Sequence, residues 1–389
     1  MRASKRLAEP VVRNVEDTRT TEYPEPTRVG SLCPATVTVA ASIRVQGATA
    51  YPLSAASARV RIAAFRPFLA VHGVDLLYES TLSDDDYALV LSSAHPLLKA
   101  RALGRSLARA ARPRDREALY LVHRLLTLTP LPGIDPPRHI DAYDFDDALT
   151  IGSAADTNRR FQWIKQEAIR ARACMRRARL VIAANRTLAS EALKHAGRVE
   201  IVPSCVDPES QPVHTHSDER ACVIGWIGSQ TTLPYLDPVL GVVERLHGQG
   251  YAMKLVVVGA DSGLRREWIE HRRWSLTSQA ADLAGFDIGV MPLPDTAWTR
   301  GKAGYKLLQY FAAGVPAVGS PVGMNCELLA EGHGIAATSP REWEQAFHDL
   351  MADATSRRER GEAARRYVQE HFSYQRWAPE LANMLQSLA

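Results

Sequence analysis

The chain has 389 residues, 46% hydrophobic and 23% charged, with 47 Lys and Arg against 43 Asp and Glu for a formal net charge of +4. That composition excludes a disordered or fibrous protein, and the length suits two domains of roughly 150 to 200 residues, each able to bury a core. The basic residues are spread along the chain without the concentrated, aromatic-interleaved face that nucleic-acid binding wants. No apolar run reaches the ~18 residues of a membrane span, and the N-terminus lacks the apolar stretch of a signal peptide. Five scattered cysteines, Cys33, Cys174, Cys205, Cys222 and Cys326, form no Cys-x-x-Cys pair. A reducing, cytoplasmic setting and no zinc site are therefore expected.

Residues 1–34 mix Arg, Glu, Thr and Pro without periodicity and read as a flexible arm outside the fold. The ordered chain is expected to open with a β-branched strand over 35–43, a loop to Pro52 and a helix over about 57–72. Short apolar runs at 74–78, 87–91, 119–126, 139–145 and 180–184 alternate with helical, Arg- and Ala-rich segments, which predicts a parallel sheet covered on both faces. A strand beginning at Val199 ends in a turn at Asp207, and polar residues fill 208–219, so the domain boundary falls there. A second βα series starts at 221–227, continues at 253–258, 287–291 and 315–319, and closes in helices from about Pro340. Finally Trp377, Leu381, Met384, Leu385 and Leu388 recur at helical spacing and predict a packed terminal helix. The resulting division is an arm over 1–34, domains over 35–207 and 208–373, and a terminal helix over 374–389.

Two stretches of the second half carry chemistry. Gly228 and Ser229 directly follow a predicted strand and precede a helix with Pro234 in its first turn. Such a junction offers backbone N–H groups and the positive end of a helix to a phosphate, although many βα turns need glycine for geometry alone. The intact Gly-x-Gly-x-x-Gly fingerprint is missing. The second stretch runs from a strand at 287–291 through a Pro-rich loop, Trp298, Arg300 and Lys302 into a helix from about Ala303. Lys302 and Lys306 are four apart, which predicts a shared helix face close to Arg300 and a cationic site for an anionic ligand. Leu307, Leu308 and the Ala312-Ala313-Gly314 run indicate a packed helix, not merely a solvated basic face.

In the first half, Tyr143-Asp-Phe-Asp-Asp147 ends a predicted strand, the edge at which open α/β sheets place ligands. Asp144, Asp146 and Asp147 suit contacts to sugar hydroxyls, a general base, a cation site or a helix cap. Polar contacts are preferred over a metal, because hard-cation sites recruit carboxylates from more than one element. Ser54, Ser57, Arg59 and Arg61 lie on the first βα loop and helix, where capping and ligand contact are both open. His123, inside an apolar segment, reads as a core histidine. No nucleophile elbow, HExxH motif or P-loop occurs, which weighs against hydrolase, metalloprotease and NTPase functions.

Taken together, Ile224–Ser229, Asp287–Leu293, Gly301–Pro316 and Ser320–Asn325, with Tyr51–Arg61 and Val199–Asp207 more loosely, resemble the GT-B nucleotide-sugar glycosyltransferases, particularly the retaining family four, glycosyltransferases group 1. The resemblance covers about residues 35–389. It implies an α/β fold of two Rossmann-like domains facing a central cleft, with the C-terminal helix crossing back to the N-terminal domain. It further implies transfer of a sugar from a nucleotide diphosphate sugar to a hydroxyl of a saccharide or small-molecule natural product, with no metal or other cofactor. No nucleic-acid partner or transmembrane segment is implied, and peripheral membrane contact is compatible with it.

Residue by residue, the resemblance places Gly228 and Ser229 at the donor diphosphate, Lys302 and Lys306 as its neutralising charges, and Gln309 at the ribose. Arg300 and Tyr305 join the donor site, and Ser57, Arg59 and Asp147 the acceptor site. Asp146 and Asp147 stand where the family often has a cleft histidine. Two departures concern specificity. The family's paired glutamates, eight residues apart, are replaced by Gly301 and Gln309, and Gln230–Leu236 carries neither the usual Arg nor the usual Lys. A sugar phosphorylase or nucleotide-sugar epimerase on the same scaffold, or a non-catalytic binding module, are the alternatives. In a transfer reaction the leaving diphosphate gains charge, which Lys302, Lys306 and the 228–229 N–H groups are expected to stabilise. A retaining course needs no protein base, whereas an inverting one needs a carboxylate such as Asp146 or Asp147.

Overall fold

The computed structural model describes residues 11–12, 42–92, 94–151 and 166–389. Cys33, the predicted strand start at 35–41 and most of the arm lie outside them. The chain divides into two compact units, one running to Ser204 and including Trp377–Ala389, the other Cys205–Arg376.

The first unit is built on a parallel sheet of β1 (Val11–Val12), β2 (Ile43–Thr49), β3 (Val74–Ser80), β4 (Leu119–His123), β5 (Ile140–Phe145), β6 (Ala178–Ala183) and β7 (Arg198–Ile201), in the order β1-β7-β6-β5-β4-β2-β3. The arm thus contributes two residues to the sheet edge, with Val11 opposite Arg198. All six residues of β5 are buried, as expected of a parallel strand covered on both faces. The first strand lies later than predicted, over Ile43–Thr49. The helix expected over 57–72 is divided into α1 (Ala56–Arg61), a 3-10 turn at Ala63–Phe65 and α2 (Arg66–Ala70), which takes Pro67 in its first turn.

The apolar run 87–91, read as a strand, belongs instead to a helix, α3 (Asp84–Leu91). Its Ser83 side chain accepts from the Asp86 N–H, and Asp84, Asp85 and Asp86 fill the first turn. Cap and macrodipole outweigh five apolar-leaning residues. The unit is completed by α4 (Pro96–Ala110), α5 (Glu167–Arg177) and α6 (Arg186–Ala192).

The second unit alternates β8 (Cys222–Ile227), α7 (Asp237–Gly248), β9 (Met253–Val258), β10 (Ile269–Arg272), α8 (Gln279–Ala284) and β11 (Ile288–Met291). It continues with α9 (Ala297–Arg300), α10 (Tyr305–Ala312), β12 (Ala317–Gly319), α11 (Asn325–Leu328), β13 (Gly334–Ala336), α12 (Pro340–Met351) and α13 (Ala354–His371). Its parallel strands run β10-β9-β8-β11-β12-β13. The edge strands β10 and β13 escaped prediction: β10 reads Ile-Glu-His-Arg, half-buried throughout, and β13 has three residues. The terminal helix α14 (Tyr374–Gln386) leaves this unit, and from Trp377 onward it packs on the first. There Trp377, Leu381, Leu385 and Leu388 are buried, Arg179 Nη1 donates to the Leu388 carbonyl at 2.6 Å, and Gln386 Nε2 donates to the His72 carbonyl at 2.9 Å. The chain therefore crosses back at its end. Among the described residues no helix is long and apolar enough to cross a membrane.

Strand order locates the ligand edges. In the second unit winding reverses between β8 and β11, the 3-2-1-4-5-6 pattern of a dinucleotide fold. In the first, leaving β1 aside, it reverses between β2 and β4, the flavodoxin-like pattern. In such sheets ligands bind beyond the carboxyl ends of the two strands that flank the reversal.

Candidate active site

In the second unit the two loops at the reversal are those after β8 and β11, so Gly228, Ser229, Arg300 and Lys302 all belong to this edge. The Gly228 N–H donates to the Val258 carbonyl at 3.0 Å. It is spent on the sheet, which corrects its expected part as a phosphate donor. What Gly228 supplies is room: a Cβ there would lie 2.4 Å from the Trp226 ring and 2.9 Å from Lys306 Nζ. The next three N–H groups, of Ser229, Gln230 and Thr231, meet no acceptor among the described residues. Their loop is pinned by Gln230, whose side chain exchanges hydrogen bonds with the Asp261 backbone at 3.2 Å in each direction. The helix expected to start at Pro234 starts at Asp237, after a 3-10 turn over Leu233–Leu236.

The loop after β11 is ordered by α9, which Thr296 and Thr299 close in a reciprocal capping box. Arg300 pairs with Asp295 through two bonds of 2.6 and 2.9 Å, with both side chains exposed, so its charge is already matched. Gly304, at φ +66, starts α10 from a left-handed conformation that other L-residues enter at a cost. Lys302 therefore precedes the helix, and the predicted helix face shared by Lys302 and Lys306 does not form. The two still sense each other. Lys302 Nζ stands 5.5 Å from the Trp298 ring centre, and Lys306 Nζ 4.4 Å from that of Trp226.

Lys306 is the central feature. Half-buried, in the first turn of α10, it bonds no carboxylate among the described residues. Burial, and next the charge of Lys302, pull its ammonium down to about 7. Trp226, itself 1% exposed, offers the ring face that a partly desolvated cation favours. On the same helix Tyr305 is half-buried, while Gln309 is 7% exposed and makes no side-chain hydrogen bond among the described residues. Tyr310, which sequence reasoning passed over, ties the two strand ends together: its hydroxyl accepts from the Ile227 N–H and donates to the Val290 carbonyl, both at 3.2 Å. One lightly compensated cation, a second beside it and three N–H groups on the same loop edge suit an anionic ligand.

The reversal edge of the first unit carries a buried polar chain. Arg61 grips Asp144, its Nε 3.2 Å from Oδ2 and its Nη2 on Oδ1, and its Nη1 donates to the Val202 carbonyl at 2.6 Å. His123 Nδ1 lies 2.6 Å from Asp144 Oδ2, and His123 Nε2 lies 2.6 Å from Ser57 Oγ. Ser57 in turn donates to Asp146 at 2.9 Å. Arg124 closes the chain, with Nε 2.6 Å from Asp146 and Nη2 2.5 Å from Asp147. Burial works to raise Asp146, but the charges of Arg124 and His123 hold it far below the usual carboxylate range. A carboxylate so held is a weak base. Arg59 spends one guanidinium nitrogen on the Leu53 and Ser54 carbonyls, at 2.7 and 3.4 Å.

Sequence reasoning thus found Ser57, Asp146 and Asp147 but treated His123 as inert core and did not weigh Arg124. The available signal was a His-Arg pair directly after the apolar Leu119–Val122 run, at the carboxyl end of a strand.

The Glycosyl transferases group 1 family matches residues 221–353, the heart of the second unit. No curated protein sequence matches the chain. Among solved structures, sucrose-phosphate synthase from Thermosynechococcus elongatus is similar at TM-score 0.65 and 13% identity, covering 89% of this chain and 99% of its own. The Anabaena protein Alr3699/HepE, solved with UDP and glucose, matches at TM-score 0.56 and 14% identity over 90% and 100% of the two chains. A UDP-forming trehalose-phosphate synthase from Burkholderia xenovorans matches at 0.58 and 11% over 90% and 99%. These likenesses establish the GT-B fold, and within it residues 221–353 of the second unit match the Glycosyl transferases group 1 family.

Proposed function

We propose that the chain transfers a hexosyl group from a UDP-sugar to a hydroxyl of a saccharide or small-molecule acceptor, with retention at the anomeric carbon and no metal in the chemical step. The observation that carries this reading is Lys306, a half-buried ammonium with no carboxylate partner among the described residues, at the reversal edge of the second unit's sheet. Lys306 and Lys302 meet the diphosphate, with the Ser229, Gln230 and Thr231 N–H groups beside them, and Gln309 meets the ribose. As the bond from the anomeric carbon to the diphosphate breaks, both electrons go to the leaving oxygen. Preorganised donors and cations stabilise that charge without reorganising. Retention is favoured because Asp146, neutralised by Arg124, is poorly suited to deprotonate an acceptor, whereas the departing phosphate oxygen can take that proton. Ser57, Arg59 and Asp147 remain the residues proposed to meet the acceptor. UDP is proposed as the nucleotide because Alr3699/HepE was solved with it and the Burkholderia enzyme forms it.

The test is a panel of UDP-, GDP- and dTDP-sugars incubated with and without hydroxyl acceptors. Nucleotide release that requires an acceptor is expected with a UDP-sugar; consumption of no nucleotide sugar would remove the proposal. A pH signature accompanies it. A diphosphate raises the pKa of Lys306 above its free value of about 7. Its contribution to binding is therefore complete below pH 7 and declines as pH rises through the raised, bound value. Affinity for UDP-glucose, whose phosphates do not titrate in this range, should fall between pH 6.5 and 8.5 by up to about tenfold per unit. Lys306→Arg, which stays charged, should flatten that slope.

A further inference from the structure

The amino-terminal ends of β8 and β11 lie at the opposite end of the second sheet from the proposed donor site, and a second constellation is built there. His214 and His216 alternate along an extended segment, which turns both rings to one side. His214 Nδ1 lies 2.6 Å from the Ala284 carbonyl, and its Nε2 lies 2.9 Å from Asp287 Oδ1. His216 Nε2 lies 3.1 Å from the Gly314 carbonyl, and its Nδ1 is 3.9 Å from the same Asp287 oxygen. That Nδ1 is buried and has no hydrogen-bond partner among the described residues. The rings stand nearly perpendicular, 4.3 Å apart, and the three side chains are 3%, 2% and 0% exposed.

We propose that His214 Nε2, His216 Nδ1 and Asp287 Oδ1 bind a first-row divalent metal ion of the zinc type. Each histidine gives its far nitrogen to a backbone carbonyl and turns the near one toward the same carboxylate oxygen, the support that metal-bound histidines characteristically have. The three ligand atoms all lie within 4.8 Å of one another. A tetrahedral ion at about 2.0–2.1 Å holds its ligands roughly 3.3 Å apart. The observed separations of 2.9 and 3.9 Å bracket that value, so small ring movements complete the site.

The remaining contacts of Asp287 are compatible with such an ion. Oδ2 accepts from the Val223 N–H at 2.8 Å and from Arg220 Nη1 at 2.7 Å. Arg220 Nη2 also reaches Oδ1 at 3.0 Å, but its side chain is 42% exposed and can withdraw into water when a divalent charge arrives. The ion pins the 213–217 segment to the sheet, a structural task apart from sugar transfer.

The experiment uses the full chain, stripped with a chelator, titrated by calorimetry with Zn²⁺ and by visible absorption with Co²⁺. One equivalent should bind with a dissociation constant of about 1 µM or below, and Co²⁺ should give the d–d bands of a low-coordinate site. Because the chain has 12 histidines, His216→Ala and His214→Gln separate this site from surface binding. Each should weaken the first equivalent by at least about 100-fold, more than second-shell changes do. His216→Ala forfeits only one hydrogen bond, and retained nucleotide binding reports that it is folded. No stoichiometric wild-type binding, or equal affinity in wild type and both variants, would overturn the proposal.

Discussion

Lys306→Ala is expected to lower the rate of sugar transfer by about 10²-fold or more, the usual cost of removing one group that stabilises developing charge in a water-poor site. The size of the effect comes from what surrounds this ammonium. A lysine on an exposed helix face shares its charge with solvent and carboxylates and is worth little. Lys306 has Trp226 beneath it and Lys302 as the neighbouring charge that further lowers its pKa. Such an arrangement raises the energy of the ligand-free protein and is relieved when an anion arrives, most of all an anion gaining charge. Arg300→Ala provides the contrast: that guanidinium is exposed and already paired with Asp295, so its removal should change the rate little. Steady-state kinetics with a saturating acceptor read both. Equal rates for wild type and Lys306→Ala would remove the lysine from the mechanism.

Arg61→Ala should be the most damaging change in the first unit, destabilising it by about 3–5 kcal/mol, because it strands a buried carboxylate. Arg61 and Asp144 have side chains only 1% and 4% exposed. Burial alone would raise the Asp144 pKa, but Arg61 first and His123 next hold it below the ordinary value. With a folded pKa depressed below the unfolded value of about 3.9, the pair's contribution is present above that value and is lost as pH falls through the folded one. Asp144→Asn should cost less, since the amide keeps an acceptor for Arg61. Urea unfolding of the two variants at pH 7 checks the order; a wild-type midpoint for Arg61→Ala would contradict it.

The elements that were legible in the sequence are those with long, unambiguous patterns. The buried runs of β5 and β9 and the heptad-like spacing from Trp377 to Leu388 carry their own assignment. Misreadings fell where a local cap competed with a short apolar run, as at Asp84–Leu91, or where an edge strand had no apolar signal, as at Ile269–Arg272. The site divided along similar lines. Lys302 and Lys306 are near each other, yet helical periodicity misplaced Lys302, because one left-handed glycine at 304 restarts the helix after it. Gly228 sits at the predicted junction, but its N–H belongs to Val258, a pairing that needs the neighbouring strand to be known. His123 and Arg124 depend on partners 21 to 66 residues away, beyond any local pattern.

The central claim, that the edge at Gly228 and Lys306 is a nucleoside diphosphate site, is tested most directly by calorimetric titration of UDP and uridine into wild type and Lys306→Ala at pH 6.5. The account predicts that UDP binds the wild-type chain with uridine far weaker, and that Lys306→Ala loses most of the difference. UDP binding no better than uridine, or equally well to both proteins, would contradict it.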